Sequence, residues 1–222
     1  MNETAARINA APAPCAGLRI GDEAPDFTAR STAGPVRLSD FRGRWLILFS
    51  HPADFTPVCT TEFVALARSA AAFDRRKCAL MALSVDSLFS HFAWLRLIRD
   101  RFGAEVRFPI VEDPTLVIGR AYGMVSALDS DSATVRTTFF IDPAGTIRAM
   151  TCYPANVGRS TPEMLRILDA LQAVDTQQAL APANWEPGQP MLCQPDISLD
   201  DVYAATGEAD WFLRDSSGGA VR

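Results

Sequence analysis

Between Ser50 and Glu62 the chain reads Ser-His-Pro-Ala-Asp-Phe-Thr-Pro-Val-Cys-Thr-Thr-Glu. Its one cysteine, Cys59, is where chemistry could begin. Thr56 suits an N-cap, and Pro57 suits the first helical position, where a missing N–H costs nothing. The proline also keeps Thr56 out of helical dihedrals, as a cap requires. Cys59 is then the third residue of the helix, inside its first turn. Backbone N–H groups there have no helical partners, and the positive end of the helix dipole is near. An ordinary thiol has a pKa of about 8.5, so only about 3% is thiolate at pH 7. A helix N-terminus with a neighbouring cation lowers that pKa to about 3.5–7.5, and the thiolate is the nucleophile. The competing reading is a buried cysteine acting as a small hydrophobe. The preceding strand, the two prolines and the cap favour the reactive one.

Such a sulfur needs a rigid platform. Trp45 to Phe49 is a continuous apolar run that reads as a buried strand leading into the motif. Behind Cys59, the spacing of Phe63, Leu66, Ala67, Ala70 and Phe73 predicts a helix with one apolar stripe. Lys77 to Val85 predicts an internal strand starting near a packed thiol, Cys78. Ser87 caps a helix carrying Leu88, Phe92, Leu95 and Phe102; Trp94 and His91 lie on it, and His91 reads as a structural partner. Val106 to Val111 reads as a strand and Asp113 to Tyr122 as a helix stopped by Gly123. Asp129 to Ser132 reads as a polar tip. Val135 to Ile141 and Thr146 to Tyr153 form a hairpin around Asp142-Pro143-Ala144-Gly145. Thr161 caps a last helix, Met164 to Val174. Strands alternating with helices, then a hairpin, predict an α/β domain of thioredoxin-like architecture.

Composition narrows the function classes. The 222 residues carry a formal charge of -5 and contain no basic run, which argues against nucleic-acid binding. No run of about 18 apolar residues predicts a membrane span. The first residues, rich in alanine and proline, lack the pattern of a secretory signal; residues 1–17 are expected to be a disordered extension. Five cysteines (Cys15, Cys59, Cys78, Cys152 and Cys193) are widely spaced, with no C-x-x-C pair and no zinc-like pattern. Free thiols in a reducing, cytoplasmic setting are expected, with no metal and no cofactor. Composition shifts near Gln177, and residues 180 to 195 hold four prolines. The tail, residues 178–222, is too short to hold its own core. It must pack on something, such as a second subunit.

Pro52-x-x-x-Thr56-x-x-Cys59 resembles the active-site motif of the peroxiredoxins, and His51 to Glu62 resembles their 1-Cys subfamily. Leu83 to Ser87 with His91 and Trp94 agrees, as do Phe108-Pro109-Ile110, Tyr153-Pro154-Ala155 with Gly158-Arg159, and Pro182-Ala183-Asn184-Trp185. The likeness covers about residues 18 to 214. It implies a thioredoxin-like peroxiredoxin domain at 18–177 and a C-terminal dimerisation extension at 178–222. It further implies a homodimer or higher oligomer, with Trp211-Phe212-Leu213 as the apolar anchor of the tail. The implied activity is reduction of hydrogen peroxide and organic hydroperoxides through a sulfenic acid on Cys59, reset by an external thiol from a glutathione or thioredoxin system. An oxidation-sensing chaperone or redox-signalling protein on the same scaffold is the alternative.

The resemblance also assigns roles. Cys59 is the nucleophile, Thr56 hydrogen-bonds peroxide and thiolate, and Pro52 shields the site. Arg136 occupies the position of the family's active-site arginine, and Glu62 orients it. Arg159 matches a second arginine of the subfamily. His51 holds the pocket-histidine position, able to hydrogen-bond a peroxide oxygen or give a proton to the leaving group. Phe55 and Val58 line the entrance. Some members carry a phospholipase serine in a Gly-Asp-Ser-x-Pro string; here that position is Glu23, so no serine-based lipase is expected. No Val-Cys-Pro resolving motif occurs in the tail, and Cys193 is expected to be a packed thiol.

Overall fold

The structure, a computed structural model, describes residues 7–8, 17–125, 134–195, 198–204 and 212–216. The chain divides into two compact units, Met1–Thr161 and Pro162–Arg222.

The first unit is built on a mixed sheet. Its strands are β1 (Arg7–Ile8), β2 (Phe27–Ser31), β3 (Gly34–Arg37), β4 (Trp45–Ser50), β5 (Cys78–Ser84), β6 (Ile110–Glu112), β7 (Arg136–Ile141) and β8 (Ile147–Tyr153). They lie in the order β1-β2-β6-β5-β4-β7-β8, with β3 beside β2. β4, β5 and β6 are parallel, and β7 joins β4 antiparallel. Every residue of β4 is buried, as its apolar run requires of a central strand covered on both faces. Leu46, Leu48, Met81, Leu83, Phe139 and Ile141 share one core with Phe27 and Tyr122. The alternation of side chains across a strand sends Phe49 to the other face. There it meets Phe63 of helix α1 (Pro57–Arg75), ring centroids 5.8 Å apart.

Helix α2 (Leu88–Phe102) begins where expected, with the Ser87 hydroxyl accepting from the Ser90 N–H. Its inward face is not the one its phenylalanines mark. His91, Trp94 and Ile98 are buried, while Phe92 and Phe102 are 48% and 39% exposed. The strand expected at Val106 to Val111 shrinks to Ile110–Glu112, because Pro109 has no N–H to place in a ladder. The helix expected from Asp113 is the short α3 (Val117–Ala121), delayed by Leu116 in the left-handed region at φ 58°. The hairpin turn is as predicted. The Gly145 N–H donates to the Asp142 carbonyl at 2.8 Å, and Gly145 has φ 85°. Asp129 to Ser132 lies outside the described residues, as do Met1 to Cys15 apart from Arg7 and Ile8.

In the second unit, α4 (Thr161–Gln177) carries Ala170, Ala173 and Val174 onto a small apolar cluster with Trp185 and Met191. The Trp185 indole N–H donates to the Gln189 carbonyl at 3.0 Å, and Arg166 donates to the Trp185 carbonyl. Leu180 and Leu192 exchange backbone hydrogen bonds. The tail thus shares an apolar cluster with the helix that precedes it. Helix α5 (Leu199–Ala204) follows. Cys193 departs from the packed thiol expected of it; it is exposed. Trp211 lies outside the described residues; of the expected anchor, Phe212 is 54% exposed.

Candidate active site

The sheet brings four side chains from three distant stretches into direct contact. Cys59 is the third residue of α1 and is fully buried. Arg136 opens β7, and its Nη1 donates to Cys59 Sγ at 3.3 Å and to Glu62 Oε2 at 2.7 Å. Its Nε and Nη2 both donate to the Ala155 carbonyl, at 3.0 and 2.7 Å. All three guanidinium nitrogens are therefore held by oxygen or sulfur in a fixed plane. A guanidinium set this way presents positive charge to the sulfur with no freedom to swing off.

Glu62 stands one helical turn beyond Cys59 and serves two arginines. Arg159 gives its backbone N–H and Nε–H to Oε1, at 2.7 and 2.9 Å, and Nη2–H to Oε2 at 2.8 Å. Arg159 Nη1 reaches Thr138 Oγ1 at 3.2 Å, and the guanidinium lies over the Phe49 ring at 4.9 Å. Burial pushes the Glu62 carboxyl upward, but its hydrogen bonds and charge pairing with Arg159 outweigh that and hold it below the usual range. The carboxylate is ionised and acceptor-only, so it can brace both cations at once.

The loop before Cys59 departs from the roles expected of it. Thr56 has the extended backbone of a cap residue, φ -87° and ψ 148°, yet its side chain makes no cap hydrogen bond. The hydroxyl instead donates to the Ala53 carbonyl at 2.8 Å. Two consequences follow. The first-turn N–H groups are not taken by the cap, and the Thr56 oxygen offers only lone pairs to a ligand. Pro52 is buried, whereas Phe55 is 53% exposed with φ 58°.

His51 is enclosed completely. Its Nε2 is 3.0 Å from Asp54 Oδ1, and the other Asp54 oxygen is 2.7 Å from His91 Nδ1. The His51 ring stacks on Trp94 at 5.4 Å and meets the edge of Phe63 at 4.8 Å. Burial lowers the His51 pKa, more than the Asp54 hydrogen bond raises it. A neutral imidazole with its N–H given to Asp54 keeps no second ring proton; its other nitrogen is an acceptor. Burial alone would raise Asp54, but hydrogen bonds from both histidines bring it down to about 2. Asp54 was not among the residues singled out from sequence, and His91 was set aside as structural. Asp54 sits three residues after His51, and His91 three before Trp94, and only the folded chain joins them. The remaining described thiols differ: Cys78 is buried, which pushes its pKa up to about 12, while Cys152 and Cys193 are exposed.

Comparison with known proteins identifies the family of the chain. Residues 20–150 match the AhpC/TSA family model, and residues 170–206 match the model of the C-terminal domain of 1-Cys peroxiredoxin. Peroxiredoxin 2 of Caldanaerobacter subterraneus subsp. tengcongensis is 49% identical over 204 residues, covering 88% of this chain and 91% of that protein. The peroxiredoxin of Aquifex aeolicus is 42% identical over 210 residues, covering 88% and 95%. Among solved structures, a yeast mitochondrial 1-Cys peroxiredoxin described as resolved via glutathione/thioredoxin systems superposes with a TM-score of 0.80 at 39% identity, covering 89% of this chain and 98% of that one. Reduced 2-Cys peroxiredoxin of Plasmodium vivax gives 0.73 at 31% identity, covering 79% and 93%. A thioredoxin-like sheet, a cysteine in the first turn of α1 and a matching C-terminal segment thus coincide in one chain, which belongs to the peroxiredoxin family, the thiol-dependent peroxidases, with a 1-Cys peroxiredoxin among its structural neighbours.

Proposed function

We propose that Cys59 is the sulfur oxidised by peroxide, with Arg136 as its electrostatic partner. The thiolate attacks one peroxide oxygen. An S–O bond forms and the O–O bond breaks. The electron pair leaves on the far oxygen as hydroxide or alkoxide, which takes a proton and departs as water or alcohol. Cys59 is left as a sulfenic acid. The observation that carries this reading is the 3.3 Å contact from Arg136 Nη1 to Sγ, braced by Glu62 and the Ala155 carbonyl. Donors fixed before the reaction stabilise developing charge without reorganising.

The other residues take supporting roles. Thr56 accepts a hydrogen bond from the peroxide O–H, Pro52 excludes water, and His51 supplies an acceptor. Arg159 holds Glu62 and thereby Arg136. The substrates are hydrogen peroxide and small organic hydroperoxides. An external thiol of the glutathione or thioredoxin type returns Cys59 to the thiol, as those systems do for the yeast relative. The match to the 1-Cys C-terminal domain supports residues 178–222 as an extension serving a homodimer or higher oligomer. No helix among the described residues is long and apolar enough to cross a membrane. We assign the protein to the cytoplasm.

The test is peroxide consumption with dithiothreitol as reductant. Turnover in the wild type and its loss in Cys59→Ser are expected. Turnover that survives Cys59→Ser removes Cys59 from the chemistry.

A further inference from the structure

Among the described residues, His51, Asp54 and His91 form a polar cluster more enclosed than the arginine pair. Their side chains are 0%, 1% and 0% exposed. Two ring nitrogens, His51 Nδ1 and His91 Nε2, are buried with no hydrogen-bond partner. A buried polar atom left unpaired is costly, so the arrangement needs an account. The potential ligand atoms of the three residues lie within 4.8 Å of one another. A tetrahedral metal with bonds of about 2.0–2.1 Å would nevertheless hold its ligand atoms about 3.3 Å apart. Here the ring nitrogens stand 3.0 and 2.7 Å from the Asp54 oxygens. Those are the separations of charge-assisted hydrogen bonds.

Proton positions follow from the chemistry. An ionised carboxylate is acceptor-only, so both shared hydrogens belong to the rings. His51 is then protonated on Nε2, and His91 on Nδ1. The cluster is also anchored on both sides. The Asp54 backbone N–H donates to Asp86 Oδ2 at 2.8 Å, and Asp86 is held in turn by the Ser84 hydroxyl. One turn along α2 from His91, the Trp94 indole N–H donates to Thr60 Oγ1, the residue after Cys59. Helix α2 therefore grips the loop before the sulfur through His91 and the turn after it through Trp94.

We infer that His91 is a positioning residue for peroxide reduction: through Asp54 it fixes His51 as the Nε2–H tautomer and clamps the His51-Pro52-Ala53-Asp54 loop against α2. The inference rests on the peroxidase reading of Cys59. It makes the bare Nδ1 of His51 a directed acceptor, because the other nitrogen is committed to Asp54 and the ring cannot flip without breaking that bond. A structural packing role would need only the shape of the imidazole; this role needs a donor at the Nδ1 position of residue 91.

The experiment combines side-chain 15N NMR of the reduced full-length protein with rapid-mixing measurement of Cys59 oxidation by hydrogen peroxide. In the wild type, His51 should carry its proton on Nε2, and Nδ1 of His91 should be protonated. His91→Leu should slow oxidation by about tenfold to a hundredfold, the range met when a partner that orients a histidine is removed. His91→Asn places an amide N–H where the Nδ1–H stood and should recover most of the loss. An unprotonated Nδ1 on wild-type His91 overturns the inference, even if neither variant folds. So does a His91→Leu protein that reacts at the wild-type rate, or equal losses in His91→Leu and His91→Asn. Failure of the wild type to consume peroxide would instead refute the role of Cys59, and the NMR would still decide the tautomers.

Discussion

Arg136 Nη1 lies 3.3 Å from Cys59 Sγ across a sequence separation of 77 residues. β7 delivers the arginine from one side of β4, and the loop after β4 delivers the cysteine. The contact thus depends on the antiparallel pairing of these two strands, in which Phe49 faces Thr138.

Arg136→Ala should slow oxidation of Cys59 by about a hundredfold or more, the usual cost of losing a fixed donor to developing negative charge. Arg136→Lys should recover only part of it. An ammonium restores the charge but cannot bridge sulfur, Glu62 and the Ala155 carbonyl in one plane. Rapid-mixing kinetics decide the matter. Near-normal rates in Arg136→Ala would remove the arginine from the reaction.

Glu62→Gln should destabilise the fold by about 3–5 kcal/mol, because a buried charge pair broken on one side leaves uncompensated charge. Here two guanidiniums would lose the same anion, and the side chains of Arg136 and Arg159 are only 2% and 3% exposed. Urea denaturation measures this. A change below about 1 kcal/mol, the size of an exposed pair, would mean that the arginines find other partners.

Stability should fall as the solution is acidified from neutrality. The folded pKa of His51 is depressed below 6.5 by burial, so below about pH 6.5 the unfolded chain binds a proton that the folded chain excludes. Asp54, at about 2 when folded, adds a second loss as the pH drops below its unfolded value of about 3.9. Urea midpoints at pH 7.5 and 5.5 should differ in the wild type, and the difference should shrink in His51→Gln. A wild-type midpoint that rises at pH 5.5 contradicts the burial of a neutral His51.

A one-cysteine cycle predicts that Cys152→Ser and Cys193→Ser sustain turnover with dithiothreitol, and that mass spectrometry finds Cys59 oxidised first. Cys152 and Cys193 are exposed and should alkylate in the native protein. Cys78, raised to about 12 by burial, should resist until the chain unfolds. A Cys59–Cys193 disulfide as the main oxidised product would replace this cycle with a resolving one.

What the sequence made legible follows distance along the chain. Trp45 to Phe49, the Thr56-Pro57 start of α1 and the turn at Gly145 are local signals, and each lies where the residues put it. The cap chemistry of Thr56 was misjudged, because its hydroxyl has two possible partners and the nearby Ala53 carbonyl wins. Arg136 and Arg159 were reachable only through the family resemblance. Nothing within a few residues of either points to a sulfur or to Glu62. The buried face of α2 was not legible, because Phe92 and Phe102 outrank a histidine on any hydrophobic scale. His91 goes inward because Asp54 offers it a charged partner, an attraction that periodicity does not register.

Cys59 has no exposed surface, and that enclosure discriminates by size. A hydroperoxide needs only a side chain to breathe, whereas a tripeptide or protein thiol must meet a sulfur that has no surface to offer. On the proposed cycle, the reductive half should need a larger opening around residues 56 to 60 than the oxidative half. Whatever tightens that turn, including the Trp94 bond to Thr60, should lengthen the life of the oxidised enzyme while leaving its appetite for peroxide largely intact.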